Sequence, residues 1–157
     1  MKNELPSFIQ NLVAPNVGRT AKYINSLIKS RFEENEIPLS KEQYIVLLRV
    51  ENEPKPQKFL ANVTERDKGS LTRLVQSLEK KQLIKRKICK EDSRVNKVEI
   101  TKRGTAVLNQ VKPLMIRIYE SLHGGINAQE KEITLKVLSI IQENAMKEIK
   151  EIERLSN

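Results

Sequence analysis

The chain is poor in the residues that many site chemistries need. Of its 157 residues, one is cysteine, one is histidine and none is tryptophan. A single cysteine makes no intramolecular disulfide, and with a single histidine it falls short of the usual zinc ligands. His123 has no serine or cysteine partner at a recognisable spacing, so no nucleophilic triad is visible. Phosphate-cradling and dinucleotide-binding glycine motifs are missing too. Neither an enzyme nor a bound cofactor or metal is expected. No apolar run approaches the roughly 18–20 residues of a membrane helix. The opening MKNELPSFIQNL has no uninterrupted apolar stretch and does not read as a secretory leader. A cytoplasmic protein without a membrane partner is therefore expected. Aromatic residues make up only 4%, which leaves the core to leucine, isoleucine and valine. Six prolines and five glycines are too few for a linker or a collagen-like chain. Apolar residues recur with clear periods, which argues against disorder.

What is present in excess is positive charge. The chain has 29 basic and 20 acidic residues, a net +9. Residues 55–103 contain fifteen of the basic and six of the acidic ones, so this middle third carries the whole excess. A basic segment between neutral flanks reads as an anion-binding module on a neutral scaffold. A solvated surface kept for solubility is the plainer alternative.

Periodicity orders the rest. Val17, Ala21, Ile24, Leu27, Ile28 and Phe32 predict a helix over 16–35, opened by Pro15 or Asn16. Leu5, Phe8, Ile9, Leu12 and Val13 form a shorter stripe before it, either a preceding helix or an arm for a partner chain. Ile37-Pro38-Leu39 breaks the pattern. Ser40-Lys41-Glu42-Gln43 is a capping box opening a helix through Val50, and Asn52 to Pro56 stops it. A short apolar segment, Gln57 to Val63, follows. Leu71, Leu74, Val75 and Leu78 put one apolar face on a helix over 66–81. Its opposite face holds Arg66, Gly69, Ser70, Thr72, Arg73, Gln76, Ser77 and Lys80. That face lacks a carboxylate in its central turns, although solvated faces usually mix both signs. Gly69 in a helix interior costs about 1 kcal/mol, which hints that bulk is unwelcome there.

The period then changes. Residues 83–90 and 94–100 read as an antiparallel hairpin around Glu91-Asp92-Ser93. Thr101 caps a helix with the stripe Val107, Val111, Leu114, Ile118 and Leu122, in which Pro113 predicts a kink near Asn109. Gly124-Gly125 ends it. Asn127 and Glu130 form a second capping box, opening a last helix of about 28 residues, on the order of 40 Å long. Its stripe, from Thr134 to Leu155, is too long for this small core to bury. The fold expected is mainly α with a small antiparallel β-hairpin, a winged helix-turn-helix whose N- and C-terminal helices form a dimerisation region. The boundaries expected are 1–36 and 104–157 for dimerisation and 37–103 for DNA binding.

The stretch 66–104 resembles the MarR family of regulators. The residues that carry the likeness are Ser70-Leu71-Thr72-Arg73, Leu78-Glu79-Lys80-Lys81-Gln82-Leu83-Ile84, Asp92-Ser93-Arg94 and Ile100-Thr101-Lys102-Arg103-Gly104. The order of helices extends the likeness over roughly 16–155. Gln82 stands where the family commonly has glycine, and Asn62 to Glu65 replace its usual apolar-glycine turn. The resemblance implies a homodimer on a pseudo-palindromic operator of double-stranded DNA, most readily a repressor. It also implies control by a small ligand of the aromatic-acid type, or by oxidation. It assigns DNA contacts to Lys68, Ser70, Thr72, Arg73 and Arg94, and phosphate contacts to Arg86, Lys90 and Lys97. Asp92 would anchor the wing turn. Tyr23, Tyr44 and Phe59 would line an effector pocket or pack in the core. Arg49 and Arg117 would meet an effector carboxylate or pair with glutamates. Two alternatives stand beside this reading. One is a winged-helix module that binds RNA or an acidic protein. The other is a thiol sensor using Cys89, whose pKa the flanking Lys87 and Lys90 would lower. His123 reads as a helix C-terminal cap.

Overall fold

The computed structural model describes residues 9, 11–64, 67–88 and 96–156. Leu5, Phe8, Arg66, Cys89, Lys90, Asp92 and Arg94, and with them the hairpin tip, lie outside the described residues. Among the described residues, six helices and three strands follow one another: α1 (Val13–Glu34), α2 (Lys41–Arg49), β1 (Lys55–Pro56), α3 (Gln57–Thr64), α4 (Lys68–Lys80), β2 (Ile84–Ile88), β3 (Asn96–Ile100), α5 (Lys102–Leu122) and α6 (Ala128–Leu155). The chain divides into two compact units, one of Lys22–Tyr119 and one of Met1–Ala21 with Glu120–Asn157.

Lys22–Tyr119 holds every buried hydrophobic side chain among the described residues. Leu47, Leu60, Val75, Leu78, Val98 and Leu108 are fully enclosed there. Each such side chain contributes about 1.5–3 kcal/mol over an exposed one. The strands form one antiparallel sheet in the order β1-β3-β2. Ile84 lies opposite Ile100 and Arg86 opposite Val98, while Lys55 lies opposite Val98 on the other edge. The hairpin expected from sequence is thus a three-stranded sheet. Residues Lys55 and Pro56, expected only to stop a helix, pair with β3 before the chain enters α3. Pro56 suits this edge position because it needs no ladder partner for an N–H.

Local chemistry fixes the helix ends. α1 begins three residues before the expected start and keeps Pro15 in its first turn, where a missing N–H is harmless. Ser40 and Gln43 complete the capping box on α2, and Asn127 and Glu130 complete that on α6. The Thr101 hydroxyl accepts the Gly104 N–H at 3.0 Å and caps α5. Pro113 lies inside α5 without ending it. The buried stripe of α5 is Gly104, Leu108, Val111, Leu114, Met115 and Ile118. It is rotated from the expected one, with Leu108 in place of Val107, because i+3 and i+4 steps both satisfy a helical period.

Two helices end in a left-handed residue that is not glycine. Glu36 closes α1 at φ 52° and Gln82 closes α4 at φ 60°. After α4, the Leu83 N–H donates to the Leu78 carbonyl at 3.0 Å and the Gln82 N–H to that of Glu79 at 2.8 Å. This is a Schellman motif, with the buried Leu83 against the buried Leu78. The Leu83 carbonyl then accepts the Thr101 N–H at 3.0 Å. A Cβ on Gly104 would lie 2.1 Å from that same oxygen. The glycine at the start of α5 is therefore required by close approach of the chain leaving α4.

Candidate nucleic-acid interface

α4 opens at Asp67, whose carboxylate accepts the Ser70 N–H at 2.9 Å and the Ser70 hydroxyl at 2.6 Å. These bonds hold the Asp67 carboxyl below its ordinary pKa, the Ser70 hydroxyl contributing most. Leu71, Val75 and Leu78 point into the core, which leaves Ser70 and Arg73 on the opposite side, with Thr72 beside them and Lys68 at the first residue of the helix. Lys68 and Arg73 are exposed, Ser70 and Thr72 half-buried. The Thr72 hydroxyl gives its proton to the Lys68 carbonyl at 2.7 Å. One Arg73 N–H donates to Ser70 Oγ at 3.2 Å. Of the four expected contact residues on this helix, Ser70 and Arg73 are neighbours on one side and Lys68 and Thr72 on another, with Arg73 already oriented by Ser70.

The sheet carries further basic side chains with a different internal wiring. Arg86 on β2 pairs with Glu79 of α4 at 2.9 Å and is half-buried, while its Nε is enclosed without a hydrogen bond. Lys97 on β3 faces Lys87 across the ladder. Lys87 and Lys85 reach Glu99 at 2.6 and 3.6 Å. Hydrogen bonding from Lys87, then the charge of Lys85, keeps the Glu99 carboxyl low. On the opposite edge, Lys55 pairs with Glu53 and lies 5.2 Å from the centre of the Phe59 ring. Arg86 and Lys97 therefore sit on adjacent strands, and Arg86 is tied back to α4.

Three sequence expectations for this region change. Ser77, expected on the open face, is half-buried and its Oγ accepts the Gln43 side-chain N–H at 3.0 Å. Gly69 is the second residue of α4 rather than an interior one, and a Cβ there would meet Asp67 Oδ1 at 3.2 Å. Its crowding is with the cap. Lys81, counted with the basic surface, donates to the Pro38 carbonyl at 2.6 Å and to Gln43 Oε1 at 2.9 Å. Gln43 is the one buried polar residue among the described residues and fastens α2 to the far end of α4. Its Ser-x-x-Gln spacing revealed the cap, but nothing local revealed partners 34 and 38 residues away. Asp67 was missed as a positioning group, although Asp67-x-x-Ser70 has the same cap spacing. Of the other candidates, Tyr44 is buried edge-on against Phe32 at 6.4 Å, with burial raising its pKa. Tyr23 is 68% exposed. Arg49 and Arg117 are exposed. Among the described residues no cluster of metal-ligating side chains occurs, and no helix is long and apolar enough to cross a membrane.

Comparison with known proteins gives one answer. The MarR family profile matches residues 39–95, from the start of the α2 cap to the wing. A MarR protein from Peptoclostridium difficile has a TM-score of 0.78 at 23% identity, covering 94% of this chain and 96% of that one. MepR of S. aureus, in a complex with DNA, has a TM-score of 0.76 at 16% identity, covering 85% and 98%. BpsR of Bordetella bronchiseptica, whose DNA binding is regulated by 6-hydroxynicotinic acid, has a TM-score of 0.77 at 18% identity, covering 88% and 98%. At these identities the likeness is one of fold.

Proposed function

Starting from the membership of this chain in the MarR family of DNA-binding transcriptional regulators, we propose that it acts as a homodimeric repressor on a pseudo-palindromic operator. The observation that carries the reading is the open face of α4. Ser70 and Arg73 lie side by side there, and Arg73 is held ready by a hydrogen bond to Ser70, while Lys68 and Thr72 flank them. Placed in a major groove, that guanidinium reaches guanine O6 and N7. Arg86, Lys90 and Lys97 contact phosphates that fix the register, and Arg94 enters the adjoining minor groove. Residues 37–103 form the DNA-binding part, and 1–36 with 104–157 the dimerisation part. The dimer is supported by α6, which buries no residue of its own although Ile133, Ile140, Ile149 and Ile152 are about half exposed or more. Control by a small aromatic acid is supported by the BpsR likeness.

Selection of bound duplexes from a random pool tests the proposal. The expected product is an inverted repeat with half-sites about 10 bp apart, one helical turn. Arg73→Ala should weaken binding to that sequence by about 1–3 kcal/mol without unfolding the protein. A pool without sequence preference would overturn the reading in favour of a module for RNA or an acidic protein. Titration with benzoate-type acids should lower affinity for the selected duplex if the effector class is right.

A further inference from the structure

Asp67 is an unexpected residue to find at the mouth of a DNA-facing helix. Its carboxylate is exposed and would face phosphates of like charge. Capping alone does not require it, because asparagine and serine cap as well. The cap also uses only one oxygen, Oδ1, on the Ser70 N–H. The second oxygen, Oδ2, takes the Ser70 hydroxyl proton at 2.6 Å. That bond fixes the polarity of the hydroxyl. With its single proton given to Asp67, Ser70 Oγ has only lone pairs left, and one of them accepts Arg73 at 3.2 Å. The three groups form a one-way relay, Arg73 N–H to Ser70 O–H to Asp67 carboxylate, in which each bond polarises the next.

We infer that Asp67 is a specificity-determining residue, which orients Arg73 through Ser70 and makes the start of α4 an acceptor surface. This rests on the reading of α4 as the recognition helix and deepens it. The consequence for DNA is definite. Arg73 offers donors and matches guanine O6 and N7, while the remaining lone pairs on Ser70 and Asp67 match a base amino group, cytosine N4 or adenine N6. The helix therefore prefers a guanine flanked by an amino-bearing base in the major groove, and the carboxylate repels any register that places a phosphate there. Bulk DNA is weakened and the correct site is spared, which raises the ratio between them.

The test uses the full chain and the random-pool selection described above, with Asp67→Asn, Asp67→Ser, Ser70→Ala and Arg73→Ala. The Asp67→Asn variant keeps the cap but reverses the bond to Ser70, because its amide donates. The Asp67→Ser variant keeps a cap acceptor without charge, so thermal melting should stay near that of the wild type for at least one of the two. The expected result is a rise in affinity for random duplex and a fall of about tenfold in the ratio of selected to random affinity, the loss of one charge-assisted hydrogen bond. Preference for the amino-bearing base should disappear. In an Arg73→Ala background Asp67→Asn should change the preference for guanine no further, while the rise in random-duplex affinity should remain. An unchanged ratio, or a further loss of guanine preference without Arg73, would overturn the inference while leaving the regulator intact. A wild-type pool with no preference would overturn the regulator reading itself and this inference with it.

Discussion

α4 and α6 are both amphipathic and capped at the N-terminus by a side chain, yet they are stabilised in opposite ways. The thirteen residues of α4 bury Leu71, Val75 and Leu78 and end in a Schellman turn. The twenty-eight residues of α6 carry a complete capping box and bury nothing. Capping decides where a helix starts, at about 1 kcal/mol; burial decides whether it persists, because isolated helices are marginal in water. α4 finds its burial within the chain. α6 requires a second surface, and the proposed homodimer supplies it.

Four substitutions or conditions sharpen that contrast, in descending order of expected effect. Gly104→Ala drives a methyl group into the Leu83 carbonyl, 2.1 Å away. It should destabilise the unit that holds α4 by about 3 kcal/mol in urea unfolding, and an unchanged midpoint would refute the close approach. Ile149→Asp with Ile152→Asp places charge on the exposed face of α6. Sedimentation should show a dimer weakened by about 2 kcal/mol, with the helical content of residues 37–103 retained. If the pair sediments as the wild type does, α6 does not supply the interface. Gln82→Gly removes a left-handed side chain at φ 60° and should raise the unfolding free energy by about 1 kcal/mol; a loss instead would mean that its bond from Arg103 at 3.3 Å outweighs the strain. The smallest effect concerns acid. The Asp67 carboxyl is depressed by its bonds to Ser70. The stability it adds is complete above the ordinary aspartate pKa of about 4 and is lost as pH falls through the lowered value. Wild type and Asp67→Asn should therefore converge in stability as the pH falls below about 4. Parallel curves would remove Asp67 as the titrating group.

Much of this architecture was legible because its signals are local. Ser40 and Gln43, Asn127 and Glu130, Thr101, and the Leu71–Leu78 face all act within one or two helical turns, and each was readable from spacing. The misread features depend on distant partners. Lys55 and Pro56 look like a helix stop because a two-residue strand is defined only by β3, more than forty residues on. Ser77 looks solvent-facing until Gln43 arrives from α2. Arg86 looks free until Glu79 is beside it. Gln82 was visible as a departure from the family's glycine, but only its φ shows that the turn is kept and the strain accepted. The Ile100-Thr101-Lys102-Arg103-Gly104 motif was recognised by resemblance. Its physical reason, a carbonyl packed against the glycine, needed coordinates.

The ion pairs of the sheet change how the charge of this protein should be counted in salt. Between residues 55 and 103, Lys55, Lys85, Arg86 and Lys87 each already have a carboxylate neighbour, and Lys81 is turned inward onto a carbonyl. A cation that is neutralised before DNA arrives displaces fewer condensed counterions when it does. The logarithmic dependence of affinity on salt falls by about 0.9 for each phosphate actually neutralised. Its slope will thus be shallower than the fifteen basic residues of the segment imply, and binding will tolerate ionic strength better than a charge count suggests.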